Sequence, residues 1–177
     1  MTREQTDKHG SIASVFAAHP VLGWKYHGWL IVVAIGLFCV DWATKQLVLH
    51  YLNVPVSILG SWVQLELLFN PGAAFSLGES FTVVFAVLAL LAVLVLVVIV
   101  APRVRGPLSN IVVGLLIAGV AGNLVDRIFR HPAPFHGYVI DWIGVRYFAV
   151  FNVADMCITA AAISIVIALL RSSGGQR

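Results

Sequence analysis

Phe81 to Val100 is a run of 20 residues broken only by Thr82, the length at which an apolar helix crosses a hydrocarbon core of about 30 Å. In water such a segment needs cover on all sides. A chain of 177 residues that is 60% hydrophobic and only 11% charged cannot supply it. The solvent of this chain is therefore lipid. The same figures argue against an aqueous enzyme, a nucleic-acid binder and a disordered regulator, because globular proteins carry roughly 25% charged residues. The formal charge of +3 reads as charge at membrane edges rather than a basic binding face.

Three further spans carry polar interruptions: Gly28 to about Leu49, Ile111 to about Val125, and Phe148 to Leu170. Residues 1–26 are polar and hold no apolar segment followed by a small-residue cleavage site, so the first span is expected to be retained. The organisation expected is a polar tail over 1–26, a four-span membrane unit over 27–171 and a short tail over 172–177. Orientation follows the basic residues. Arg3, Lys8, Lys25, Arg103, Arg105, Arg171 and Arg177 fall on one side, and Lys45, Arg127, Arg130 and Arg146 on the other. The first set belongs in the cytoplasm, with both termini.

Between the first two spans, Val63, Leu65, Leu67 and Phe69 alternate with Gln64 and Glu66, the period of a strand with one apolar face. Asn70-Pro71-Gly72 then supplies turn chemistry. Two readings stay open: an amphipathic folded loop, or a small sheet at the membrane surface that holds an extended peptide by edge pairing.

Several carboxylates fall at one depth. Counted along their helices at 1.5 Å per residue, Asp126 and Asp155 lie roughly 22–24 Å from the cytoplasmic boundary, and Asp41 about 20 Å. Ionisable groups at that depth are costly and normally mark a functional site. A structural ion pair is the plain alternative for each. It is strongest for Asp41, with Lys45 at i+4, and it also suits Asp126, with Arg127 adjacent and Arg130 at i+4. Asp141 and Asp155 have no adjacent base. Desolvation raises such a carboxyl, and two held close share one proton, as in an aspartic peptidase. Asn123 and Asn152 each stand three residues before an aspartate, so each is expected to share a helix face with it. They can donate to a carboxylate or a peptide carbonyl, or simply clasp two helices. Gly114, Ala118 and Gly122, and Ala160, Ser164 and Ala168, repeat small-xxx-small spacing, which predicts that the third and fourth spans pack on each other through these faces.

Other chemistries find no support. The chain has no Gly-x-Ser-x-Gly elbow, His-Glu-x-x-His or P-loop. Cys39 and Cys157 are expected to be buried, inert thiols, and the six histidines surface residues.

Five stretches together resemble the lipoprotein signal peptidases of bacteria: Asp41-Trp-Ala-Thr-Lys45, Asn70-Pro-Gly-Ala-Ala-Phe75, Gly119-Val-Ala-Gly-Asn-Leu-Val-Asp-Arg127, Val139-Ile-Asp141 and Phe151-Asn-Val-Ala-Asp155. The likeness spans roughly residues 28–170. Ala118 replaces the first glycine of a usual Gly-Gly pair, and a short stretch between Asp141 and Asp155 implies a trimmed outer loop. The resemblance implies an all-α membrane protein of four transmembrane helices with a small β-cradle-like outer segment between helices 1 and 2. It implies an intramembrane aspartic endopeptidase that cuts prolipoproteins before a diacylglyceryl-modified cysteine. Asp141 and Asp155 would be the catalytic dyad. Asn70, Asn123, Arg127 and Asn152 would orient substrate or dyad, and Asp41, Lys45 and Asp126 would support the site, Asp126 outside the dyad. No metal or organic cofactor is implied. The partners implied are lipidated prolipoproteins, membrane lipid and cyclic peptide inhibitors such as globomycin, with no nucleic acid. The rival reading is an ion-coupled transporter or proton channel that uses the same carboxylates as a relay. A non-catalytic membrane assembly factor with polar helix clasps is a third reading. Such a factor would keep its function when these aspartates become asparagines.

Overall fold

The computed structural model describes residues 24–72 and 82–174. Most of the polar N-terminal tail, residues 73–81 with the end of the Asn70–Phe75 stretch, and residues 175–177 lie outside the described residues. Among the described residues, four helical segments are long and apolar enough to cross a membrane. They are α1 (Trp24–Tyr51), α2 (Thr82–Leu94) together with its continuation to Arg103, α3 (Pro107–Phe129) and α4 (Val153–Gly174). α2 widens into a π-helical stretch over Val95–Val100 and ends in a 3-10 turn, Ala101–Arg103. Pro102 lacks the N–H that a continuing α-helix would need. α3 starts sharply, with Gly106 at φ +81° and Pro107 at the first helical position, the one residue tolerating that φ followed by the one pre-set for a helix.

The expected spans are all helical, and their ends shift. The fourth starts at Val153 rather than Phe148, because Phe151 is engaged in backbone pairing with Ile143 and Asn152 stands just outside the helix. The sheet also departs from expectation. β2 (Val63–Asn70) comes from the segment after α1, where the period-two pattern lies, and β1 (Val56–Ser57) precedes that pattern, but the third strand, β3 (Val139–Val145), comes from between α3 and α4. The order is β1-β2-β3, antiparallel throughout, with Leu68 opposite Asp141 and Asn70 opposite Val139. A register shift between Leu65 and Leu68 interrupts the ladder.

β3 reaches this place because the loop after α3 folds back over the helix end. The Gly137 N–H donates to the Arg127 carbonyl at 3.0 Å. A Cβ on Gly137 would stand 2.2 Å from the Asp126 carbonyl oxygen, so only glycine permits the approach.

The small residues pack differently from their spacing. Gly114 lies against Leu30 and Val33 of α1, and Gly122 against Asp41 of α1 as well as Ala154 of α4. Ala160 and Ala168 stay exposed, while Ala154, Cys157 and Ala161 form the buried face of α4. The α3–α4 contact is made through Gly119, where an added Cβ would meet the Ala154 carbonyl at 2.5 Å and Ile158 Cγ1 at 2.6 Å. Ala118 itself is buried, so its extra methyl is accommodated. Gly119→Ala should therefore push the start of α4 away and cost about 1–3 kcal/mol, read as an earlier thermal unfolding in detergent. Of the two thiols, Cys157 is buried but Cys39 is exposed, because α1 turns that side away from its neighbours.

Candidate active site

At one end of the bundle α1, α3, α4 and the sheet bring together every carboxylate singled out from the sequence. Asp141 projects from β3. Its Oδ2 accepts from Asn70 Nδ2 at 2.9 Å, and its Oδ1 accepts from Asn152 Nδ2 at 2.6 Å. Only 1% of Asp141 is exposed. Burial raises its carboxyl from the ordinary 3.8 to about 6. The Asp155 charge adds to the rise, and the two asparagine hydrogen bonds oppose it.

Asp155 belongs to the first turn of α4, and its relation to Asn152 is not the shared helix face that the spacing suggests. Asn152 is the N-cap. Its Oδ1 accepts from the Asp155 N–H at 3.0 Å, and its N–H donates to Asp155 Oδ2 at 3.1 Å, a reciprocal capping box. The other Asp155 oxygen accepts from Asn123 Nδ2 at 2.8 Å. Asn152 thus touches both carboxylates, its carbonyl side fixed by the cap and its amide side turned to Asp141. Its amide also donates to Asn123 Oδ1 at 3.1 Å.

Behind the two aspartates sits an ion cluster centred on Lys45. Its ammonium lies 2.8 Å from Asp41 and 2.8 Å from Asp126, and it donates to Asn123 Oδ1 at 3.2 Å. The i+4 pair with Asp41 was expected from the sequence; the reach to α3 was not. Asp126 is also paired with Arg130, one of its two expected partners. Arg127 instead donates to the Asn123 carbonyl at 3.2 Å, with its charge within reach of Asp155, Asp141 and Asp126.

Both clustered carboxylates grip the backbone beside a site aspartate. Asp126 Oδ2 accepts from the Ile140 N–H at 3.3 Å, directly before Asp141, and Asp41 Oδ1 accepts from the Ala154 N–H at 2.9 Å, directly before Asp155. One ammonium therefore holds two carboxylates, and each of these fixes the residue preceding one of the pair. Sequence spacing could not find these backbone contacts. Thr82 was likewise missed: its hydroxyl donates to the Pro71 carbonyl, tying the Asn70 turn to α2.

Lys45, Arg127 and Arg130 face Asp41, Asp126, Asp141 and Asp155, three cations against four carboxylates. Among the described residues, neither Asp141 nor Asp155 is ion-paired with a cation. A carboxylate beside a neutral carboxylic acid can take a proton from water while the acid gives one to a carbonyl oxygen. Among the described residues, no three His, Cys, Asp or Glu side chains are grouped to hold a metal ion.

The family model described as signal peptidase (SPase) II matches residues 33–171. A lipoprotein signal peptidase of Streptomyces griseus is 40% identical over 168 residues, covering 92% of this chain and 83% of its own. One from Streptomyces coelicolor is 42% identical over 148 residues, 80% of this chain and 70% of its own. The fold is similar to two solved structures of bacterial membrane enzymes. One has a TM-score of 0.73 and 23% identity over 85% of this chain and 92% of that one. The other has a TM-score of 0.70 and 25% identity over 81% and 93%.

Proposed function

The chain belongs to the signal peptidase II family, and from that premise we propose that Asp141 and Asp155 are the catalytic dyad of a multi-pass membrane peptidase that releases signal peptides from prolipoproteins. The observation that carries this reading is the pair itself: two carboxylates on different elements, joined through Asn152 and, among the described residues, without an ion-paired cation. The ionised member takes a proton from water as the oxygen attacks the scissile carbonyl, and the protonated member donates to the carbonyl oxygen. Collapse then returns a proton to the leaving amine. Asn70, Asn123 and Asn152 hold the carboxylates in place, and Arg127 supplies positive charge for the developing oxyanion. Lys45, Asp41 and Asp126 position the backbone on which the dyad rides.

The substrate is a prolipoprotein cut before its diacylglyceryl-modified cysteine. β1 covers only Gln64 and Leu65 of β2, so among the described residues the edge from Glu66 to Asn70 is open to an extended peptide and leads to the Asn70 that contacts Asp141. The lipid on the cysteine stays in the surrounding membrane, and cyclic peptides such as globomycin would block the same carboxylates. The protein lies in the bacterial cytoplasmic membrane, both termini in the cytoplasm and the dyad near the outer leaflet, as the distribution of Lys and Arg supports. Cysteine labelling at position 104 should succeed from the cytoplasmic side only; labelling from outside reverses the topology.

The experiment that tests the chemistry is cleavage of a lipidated precursor by the purified protein. Cleavage should survive EDTA and reagents directed at serine or cysteine; loss on chelation with recovery on zinc would overturn the dyad. The pH profile tests it a second way. The folded carboxyl of Asp141 is raised to about 6, so the singly protonated pair is present below that value and lost as pH rises through it. The rate should fall on the alkaline side, with apparent ionisations that belong to the pair. A rate indifferent to pH through this region counts against a shared proton.

A further inference from the structure

At the end of the bundle remote from the aspartates, α2 and α4 both pack on α3 and leave a groove between them. It encloses about 360 Å³ and is lined by Val100 after α2, by Leu108, Val112 and Leu116 of α3, and by Ser164 and Ala168 of α4. That volume lies in the range of small-molecule sites, about 300–1,000 Å³. The lining is apolar apart from Ser109 and Ser164, and the Ser164 hydroxyl is already spent on the Ala160 carbonyl. Ser164 and Ala168 belong to the small-residue stripe that does not serve helix packing; here their small size keeps the groove open.

The rim carries charge of one sign. Arg103 stands three residues after Val100, Arg105 three before Leu108, and Arg171 three after Ala168, and all three are exposed. Every described Asp and Glu lies in the aspartate cluster or on the sheet, roughly 27 Å away along the 18 residues of α3 from Leu108 to Asp126. Among the described residues, no carboxylate answers these arginines.

We propose that this groove is a binding site for an anionic phospholipid, one acyl chain lying along Val112 and Leu116 and the phosphate held by Arg103, Arg105 and Arg171. The combination is what a basic pocket between membrane helices offers to a lipid headgroup. The competing occupant, the apolar segment of a signal peptide, begins with a positively charged stretch, which the three arginines repel.

The test uses the full chain in detergent, titrated with phosphatidylglycerol or with phosphatidylcholine of the same acyl chains. Thermal stability and lipid retention in native mass spectrometry are the readouts. Phosphatidylglycerol should raise the unfolding midpoint more and stay bound at one copy. Two variants should erase the preference: Ala168→Phe, which fills the groove, and Arg103→Gln with Arg105→Gln and Arg171→Gln, which strips the rim. The arginine variant should weaken phosphatidylglycerol on the order of a hundredfold. If Ala168→Phe folds poorly, Ser164→Leu fills the same groove more gently. Equal response to both lipids overturns the proposal. So does a preference that survives in the filled groove while vanishing with the arginines, which is surface attraction without a site. A filled-groove variant with intact lipid preference but a raised KM for the precursor assigns the groove to substrate instead.

Discussion

Asp141→Asn and Asp155→Asn should each lower single-turnover cleavage of a lipidated precursor by at least about 10²–10⁴-fold, the scale of a lost acid–base group. An asparagine at 141 keeps an oxygen for one of its two partners, Asn70 or Asn152, and turns an NH2 toward the other. The same holds at 155, between Asn123 and the Asn152 N–H. Each variant thus sacrifices one hydrogen bond and all proton transfer. Each should still insert and bind a substrate-like inhibitor, which separates lost chemistry from lost folding. Near-normal turnover in either one, in well-folded protein, ends the dyad assignment.

Lys45→Met should be the most destabilising single change in the cluster, with Asp126→Asn close behind. Lys45 is 1% exposed and Asp41 and Asp126 are each 2% exposed, so removing the ammonium leaves two carboxylates buried without their shared cation. Breaking a buried pair from one side costs about 3–5 kcal/mol. Asp126→Asn leaves Arg130 without its carboxylate and loosens the hold on the Ile140 N–H. Both effects should appear as lower thermal midpoints in detergent, with residual activity in whatever Asp126→Asn protein folds. Wild-type midpoints for both variants would show that the cluster contributes nothing to stability. A stable, inactive Asp126→Asn beside an active Asp141→Asn would move the dyad to Asp126 and Asp155.

The contrast between these two sets of variants is partly legible in the sequence. Asp41 with Lys45 at i+4, and Asp126 with Arg130 at i+4, are intrahelical spacings, and both pairs form. What the spacing could not show is that Lys45 also crosses to Asp126, which ties the two pairs into one unit. Asn152 was found for the right neighbourhood and the wrong geometry: three residues before Asp155 suits a shared helix face and an N-cap equally, and only the start of α4 at Val153 chooses between them.

By itself the sequence determined the four spans, the period-two pattern from Val63 to Phe69, the acid–base pairs along single helices and, through its motifs, the family. Hydropathy, period and i+4 spacing are local quantities, and lipid makes them decisive because a helix in a bilayer must satisfy its own backbone. The tertiary structure decided the rest. Val139–Val145 reads as an apolar run broken by one aspartate and becomes a strand only because β2, far off in the chain, offers its edge. The small-residue faces could not name their partners, since any close-packed helix would satisfy them, and Gly114 met α1 while Gly119 met α4. Asp141 and Asp155 arrive on separate elements, so the distance between them depends on how the sheet caps the bundle, which no local pattern encodes.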